Sequence, residues 1–202
     1  MSDLGKSTKL NTELTFDEKN HKYFLDGVCI PSVSEILSPL HSKVYGDINS
    51  YTLEIAAEKG TRVHRSIEFM SKYGLDKCDE DILGYVQAYK KFRSEHENWQ
   101  LIGSELRLYN KALLYGMTID EVYRVGENIV ICDLKTTSSV HLGSWSVQLS
   151  AYKKGYLTHY PDRNVSELYI IRLKDNGSYE LYKLEDNFRI FLACLSIYRF
   201  EV

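Results

Sequence analysis

The chain has little of what marks several protein classes. It holds only three prolines, and no glycine-rich, serine-rich or charged run separates two halves; nothing in it reads as an interdomain linker. No internal repeat is present, which argues against a solenoid or propeller. Four cysteines, Cys29, Cys78, Cys132 and Cys194, are scattered without a CxxC pair. That spacing argues against a zinc site or an iron–sulfur cluster. No apolar run approaches the length of a membrane span, and the opening MSDLGKSTKLNTE lacks an apolar signal core. The expectation is a cytoplasmic protein with reduced thiols and no membrane partner. Excess positive charge is missing too: 25 Lys and Arg face 28 Asp and Glu, for a net charge of -3 and a pI near 6.1. A passive nucleic-acid coat would be basic. An enzyme whose bound cations neutralise carboxylates and phosphate together is not excluded by this balance.

What is present suits one compact domain over residues 1–202, since 44% of the residues are hydrophobic and this length can bury a real core. Sixteen tyrosines are many for the length; packing at the edge of a core is their ordinary use, and stacking on bases the alternative. Residues 1–13 are polar and read as loose. Leu14–Phe16, Lys22–Leu25 and Val28–Ile30 read as strands, with Asp26-Gly27 as a two-residue turn, forming an N-terminal β-hairpin extension over about 14–31. Ser32 and Glu35 have capping-box spacing before a short helix. A long helix is expected over about Ser50 to Tyr73, with an apolar stripe of Ile55, Ala56, Val63, Ile67 and Met70. Gly60 interrupts it at a cost of about 1 kcal/mol relative to Ala, so a packing or functional reason is expected there. A second helix runs over Asp79 to Glu97, with Ile82, Leu83, Val86, Tyr89 and Phe92 on one side.

After Trp99 the pattern changes to strands at Leu101–Leu108, Leu113–Tyr123 and Asn128–Leu134, an antiparallel meander turning at Asn110-Lys111 and Gly126. A helix from about Ser144 to His159, a strand pair at Val165–Leu173 and Ser178–Leu184, and a closing helix from Asn187 to Phe200 complete it. The fold class expected is α/β, a mixed central sheet flanked by helices.

The segment richest in chemistry is YGMTIDEVYRVGENIVICDLKTT, residues 115–137. Asp120 is expected near the end of one strand, and Asp133 and Lys135 at the end of the next. Period-two geometry puts Asp133 and Lys135 on one face, and a hairpin through Gly126 brings the two acidic ends together. An aspartate closing the apolar run IVICD is costly unless paired or metal-bound. Paired carboxylates suit a hard cation such as Mg2+ or Mn2+, and a lysine beside them can act on a metal-bound water or offset phosphate charge. A DxK tripeptide alone is weak, since a salt bridge at a strand end explains it as well. Five motifs in order make the pattern specific: Gly60-Thr61-Arg62-Val63-His64, Glu105 in SELRLY, Gly116-Met117-Thr118-Ile119-Asp120, Asp133-Leu134-Lys135 and Gln148-Leu149-Ser150-Ala151-Tyr152.

This series resembles the RecB-like, phage-type exonuclease branch of the PD-(D/E)XK nuclease superfamily over about residues 16–160. HKYFLDGVCIPSVSEIL also resembles the leader of phage members. The proline of the superfamily's name is replaced by Ile119, and the cysteines that bind an iron–sulfur cluster in some relatives are missing. The resemblance implies a restriction-endonuclease-like core and one or two Mg2+ or Mn2+ ions held by Asp120, Asp133 and the Leu134 carbonyl. His64 would be a further ligand or a group bracing one. Lys135 would act on the attacking water, and Gln148 and Tyr152, four residues apart on a helix, would contact DNA or brace the site. Glu105 is a metal-ligand candidate as much as a solvated strand residue. Glu68 could reach the same site, although a surface salt bridge explains it better. Arg62, Arg65, Lys153 and Lys154 could meet phosphates, with solvated charge as the default. The activity implied is metal-dependent DNA exonuclease in recombination, repair or phage DNA processing, in the cytoplasm of a bacterium or phage-infected host. A structure-selective endonuclease and an inactive DNA-binding subunit are the alternatives. Candidate partners besides DNA are a single-strand-binding or annealing protein and further copies of the chain.

Overall fold

The computed structural model describes residues 13–45, 49–75 and 77–200. The expectation for residues 1–13 falls outside these, apart from Glu13, which is tied to the first turn by Asp26 N–H donating to its carbonyl at 3.0 Å. Strands β1 (Leu14–Asp17), β2 (Lys22–Leu25) and β3 (Val28–Ile30) form an antiparallel sheet in that order. Asp26 and Gly27 both have positive φ, 51° and 80°, as a tight two-residue hairpin turn requires. The expected hairpin is therefore a three-stranded sheet. Ser32 then caps α1 (Val33–Ile36) with a reciprocal capping box: Glu35 N–H donates to Ser32 Oγ at 3.1 Å, and Ser32 N–H donates to Glu35 Oε2 at 2.8 Å. A second helix, α2 (Ser38–Tyr45), follows at once; no helix was expected between the short one after Ser32 and the long one from Ser50.

The long helix α3 spans Ser50–Tyr73 and ends on Gly74, whose φ of 66° makes the left-handed cap that glycine favours. Its apolar stripe is shorter than expected. Ile55 and Ala56 are exposed, and burial begins at Val63 and Ile67. A 3-10 turn (Glu80–Ile82) leads into α4 (Leu83–Glu95). Ile82, Val86, Tyr89 and Phe92 face inward, joined by Tyr85 and Ala88. Leu83 turns outward, about 100° round the helix from Ile82.

The main sheet has the order β4 (Gln100–Tyr109), β5 (Gly116–Val125), β6 (Asn128–Lys135), β7 (Val165–Leu173), β8 (Tyr179–Lys183). All neighbours are antiparallel except β6 and β7, which are parallel because α5 (Leu142–His159) carries the chain across between them. The mixed α/β class with a central sheet between helices is what the sequence pattern led to. Alternation along β6 shows the layering. Ile129 and Ile131 join a core with Trp145, Leu149 and Tyr156 of α5 and Phe191 and Leu195 of α6 (Phe188–Phe200). Val130, Cys132 and Leu134 join the opposite core with Val63 and Ile67 of α3 and Tyr89 and Phe92 of α4.

The N-terminal sheet docks on β5 close to the expected site. Gly116 N–H donates to the Pro31 carbonyl at 2.8 Å, and a Cβ at Gly116 would stand 2.3 Å from Tyr23 Cγ. Only glycine admits that ring, and Tyr23 then pairs its hydroxyl with Thr118 Oγ1 at 2.7 Å. The four cysteines are free thiols. No described helix is long and apolar enough to cross a membrane.

Candidate metal centre and active site

Strand register places three carboxylates side by side. Ser104 of β4 faces Glu121 of β5, and Glu121 faces Cys132 of β6. The next row along is therefore Glu105, Asp120 and Asp133. At this row the sheet departs from regular geometry. The β5–β6 ladder stops at Glu121 and Cys132, and the N–H of Leu134 goes to the Asp120 carboxylate instead, Oδ2 accepting at 2.7 Å. Asp120 thus lies inside β5, not near its end as expected, and its side chain fills the gap where β5 and β6 part. Alternation also slips by one residue here. Ile119 and Val122 share one core, while Glu121 and Tyr123 turn to the other. Across from Asp120, Glu105 has φ of 50°. For a residue with a Cβ this left-handed backbone costs about 1–2 kcal/mol, and such strain collects at functional sites.

Two groups of side chains meet around the peptide of Leu134. From the α3 side comes His64, whose Nε2 stands 3.1 Å from the Leu134 carbonyl oxygen. Its Nδ1 lies 3.5 Å from Asp120 Oδ2 and 3.8 Å from Glu105 Oε1. His64, Glu105 and Asp120 offer ligand atoms all within 4.8 Å of one another. Gly60, one turn earlier on α3, lets the helix approach the strand end: a Cβ there would stand 3.4 Å from Thr136 Oγ1. From the α5 side come Gln148 and Tyr152. Lys135 Nζ lies 2.7 Å from Asp133 Oδ2 and donates to Gln148 Oε1 at 3.2 Å. The Gln148 amide donates to Asp133 Oδ1 at 3.1 Å and to the Tyr152 hydroxyl at 2.7 Å. One glutamine side chain therefore fixes carboxylate, amine and phenol together, which the four-residue spacing on a helix allows.

The electrostatics follow from this packing. Burial works against a charged His64, but the Asp120 and Glu105 carboxylates outweigh it and hold the imidazole well above its ordinary value. Asp120 is also buried, yet His64 beside it, with help from Lys135, keeps its carboxyl below the usual range. Asp133 goes the other way. Burial, reinforced by the like charge of Asp120, pushes it up to about 6 against the pull of Lys135. Three oxygens, from Glu105, Asp120 and the Leu134 carbonyl, thus surround the imidazole and favour its protonated form. A hard divalent ion suits the same oxygen donors, with a neutral imidazole as a nitrogen ligand. Asp133 Oδ2 is buried and faces the Lys135 ammonium at 2.7 Å, so this oxygen already sits against a cation. The expected ligand residues fall into two groups. The ligand atoms gathered most closely belong to His64, Glu105 and Asp120, while Asp133 is turned to Lys135 and Gln148.

The basic residues expected to meet phosphates are engaged locally. Arg62 is held by Asp79 at 3.0 Å and also pairs with Asp81. Lys153 pairs with Asp186 at 3.1 Å. Arg65 lies 5.4 Å from the Phe69 ring centroid and Lys154 5.6 Å from that of Phe188. Glu68 makes the surface salt bridge that its position suggested, 2.6 Å from Lys72.

Some residues around the site carried no signal in the sequence. Arg172, the β7 neighbour of Lys135, donates through Nε to the Thr137 carbonyl at 2.8 Å and through Nη2 to the Ser138 carbonyl, while Nη1 is 2.6 Å from Glu180. It pins the loop that leaves Lys135. His41 of α2 is half-buried, and burial together with the Lys135 charge holds it below the ordinary imidazole value. Glu121 is buried and accepts from the hydroxyls of Tyr89 and Tyr123. Burial pushes its carboxyl up to about 7, although both hydroxyls pull it down.

No protein-family model matches this chain, and no curated protein sequence matches it. Solved structures resemble it at low identity. The alkaline exonuclease LHK-Exo from Laribacter hongkongensis is 8% identical, with a TM-score of 0.45 over 84% of each chain. LHK-Exo in complex with dAMP gives 10% and 0.44, over 85% of this chain and 87% of that one. SSO0001 gives 13% and 0.39, over 69% and 71%.

Proposed function

We propose that this protein is a Mg2+- or Mn2+-dependent deoxyribonuclease that digests DNA from an end. The carrying observation is the row Glu105, Asp120, Asp133 across three adjacent strands, flanked by His64 on one side and by Lys135 on the other. The five motifs found in order in the sequence add the exonuclease likeness and suggest recombination, repair or phage DNA processing as its setting.

His64, Glu105 and Asp120, with the Leu134 carbonyl, would hold the cation, and Asp133 Oδ2 offers a further oxygen. A bound divalent ion supplies an acidified water and a counter-charge for the phosphate. The residues do the rest. Gln148 fixes Lys135 Nζ against Asp133, so the amine has one place to stand. From there Lys135 orients the attacking water and offsets charge that builds on the phosphate oxygens. The water oxygen forms the new bond to phosphorus as the bond from phosphorus to the sugar oxygen breaks; the water gives up one proton to solvent, and the departing sugar oxygen takes one from solvent. Contacts to the strand are expected mainly at the backbone, since no base-reading motif is present.

The test is digestion of end-labelled linear duplex, linear single strand and closed circular DNA, each in Mn2+, in Mg2+ and in EDTA. Linear DNA should shorten only with metal, while circles survive. Cutting of circles would make the enzyme an endonuclease. No metal-dependent product from any form, or equal digestion by Asp120→Ala, overturns the assignment.

A further inference from the structure

Glu121 is a buried acid that the proposed chemistry does not use. Its residue is 1% exposed, and its two carboxyl oxygens each accept from one tyrosine hydroxyl, Tyr89 of α4 and Tyr123 of β5. Tyr89 in turn meets Ser71 Oγ of α3 at 3.3 Å, and Arg93 lies 4.9 Å from the centroid of the Tyr123 ring. Replacing all partners of a buried hydrogen-bonded cluster by apolar groups of similar shape can be nearly neutral for stability, so folding alone does not require it. Its position gives it another use. Glu121 stands opposite Ser104 and Cys132, and its pairing with Cys132 is the last rung of the β5–β6 ladder, although β4 and β5 stay paired beyond it. The following row is Glu105, Asp120 and Asp133. The slip in β5 alternation, which turns Asp120 into the gap beside Leu134, lies directly next to the tethered carboxyl.

We infer that Glu121, clamped by Tyr89 and Tyr123, is a positioning residue that fixes where β5 and β6 part and so holds Asp120 in its ligand geometry with His64 and Glu105. The clamp works through the backbone. Two hydroxyls, one from a neighbouring helix and one from the strand itself, set the rotation of β5 at residue 121, and the next residue inherits it. This inference rests on the metal site proposed above, but not on nuclease activity.

Mn2+ binding to the folded full-length chain, followed by calorimetry, tests it, with unfolding temperature measured in EDTA. The triple variant Tyr89→Phe, Glu121→Leu, Tyr123→Phe removes every partner in the clamp and leaves an apolar site. It should unfold no earlier than the parent, yet bind Mn2+ about tenfold or more weakly, the usual cost of losing a group that orients a metal ligand. Glu121→Gln can still accept from one hydroxyl and donate to the other, and it should bind Mn2+ nearly as the parent does. Tyr123→Phe removes one donor and keeps the ring under Arg93; it covers the case in which the triple variant does not fold, and it too should weaken Mn2+ binding. A triple variant, or in its absence a Tyr123→Phe variant, that binds Mn2+ as tightly as the parent overturns the inference. A parent that binds Mn2+ but cleaves no DNA leaves the positioning role standing and sinks only the nuclease assignment. A parent that binds no Mn2+ overturns both.

Discussion

Replacing Asp133 by asparagine should make the metal-free protein more stable at neutral pH. Asp133 is buried, next to Asp120, and its carboxyl sits at about 6 in the folded chain against 3.8 for the free group. The folded state therefore binds a proton more readily than the unfolded state between those values, and stability falls as pH rises through them. Above about pH 6 the full cost is present. A proton affinity raised roughly a hundredfold, at about 1.4 kcal/mol for each factor of ten, gives about 3 kcal/mol as an upper bound. The asparagine side chain of Asp133→Asn would be neutral at every pH. It would still accept from the Gln148 amide, but it would lose the attraction of Lys135, whose amine keeps Gln148 Oε1. The net gain expected is about 1–3 kcal/mol, several degrees in unfolding temperature for a chain of this size. Thermal unfolding in EDTA at pH 7.5 measures it. The advantage should shrink as pH falls from about 6 and vanish below about pH 3, where the carboxyl is protonated in both states. Adding Mn2+ should narrow the gap, because ligand at a hundred times its dissociation constant stabilises the better binder by about 2.7 kcal/mol. An Asp133→Asn protein that unfolds earlier than the parent at pH 7.5 in EDTA would refute the reasoning.

Lys135→Ala should fold normally and lose at least about a hundredfold in metal-dependent cleavage, as removal of a group that stabilises developing charge does; initial rates on labelled linear DNA measure it. Cleavage and Mn2+ affinity should both rise with pH. Asp133 loses its proton near 6, and His64, held above the usual imidazole value by its carboxylate neighbours, must give up a proton before it can bind a metal. Calorimetry in two buffers of different ionisation enthalpy should then show proton release on Mn2+ binding at pH 7. Gly84→Ala should destabilise more than Gly155→Ala. The new methyl meets the Asp175 backbone oxygen at 1.6 Å in the first case, and in the second the flexible end of Met117 at 1.8 Å; overpacking of this kind costs about 1–3 kcal/mol, and urea unfolding of the pair checks the order.

Much of the fold was legible because its signals are local. Asp26-Gly27 and Gly126 announce their turns, the Ser32–Glu35 spacing announces its cap, and IVICDLK announces a buried strand with Asp133 and Lys135 on one side. Other features depend on partners distant in sequence. Arg62 looks like a phosphate contact until Asp79 and Asp81 come back beside it. Ile55 and Ala56 fit a helical stripe by period, but period alone does not say where a neighbouring layer begins, and here it begins at Val63. Glu105 could not be told from a solvated strand residue, because its left-handed backbone and its place opposite Asp120 belong to the assembled sheet. Glu121 was hidden for a related reason. Regular alternation from Ile119 would put it in the other core, and only the slip at Asp120 turns it to Tyr89 and Tyr123. The pairing of Asp133 with Lys135 and Gln148 was also out of reach, since it depends on where α5 lies against β6.

That parting opens the sheet at one end of the β5–β6 seam, which is otherwise paired from Glu121 and Cys132 to the Gly126 turn. One side of the opening, β4 and β5, carries Glu105 and Asp120; the other, β6 and β7, carries Asp133, Lys135 and the Arg172 tether. At the site they are stitched by a side chain rather than by the backbone ladder. A divalent ion held by Asp120 of β5 and the Leu134 carbonyl of β6 would act as a rivet there, so its arrival should slow hydrogen exchange along Asp120–Glu121 and Cys132–Leu134 far more than at the Gly126 turn that joins the same two strands.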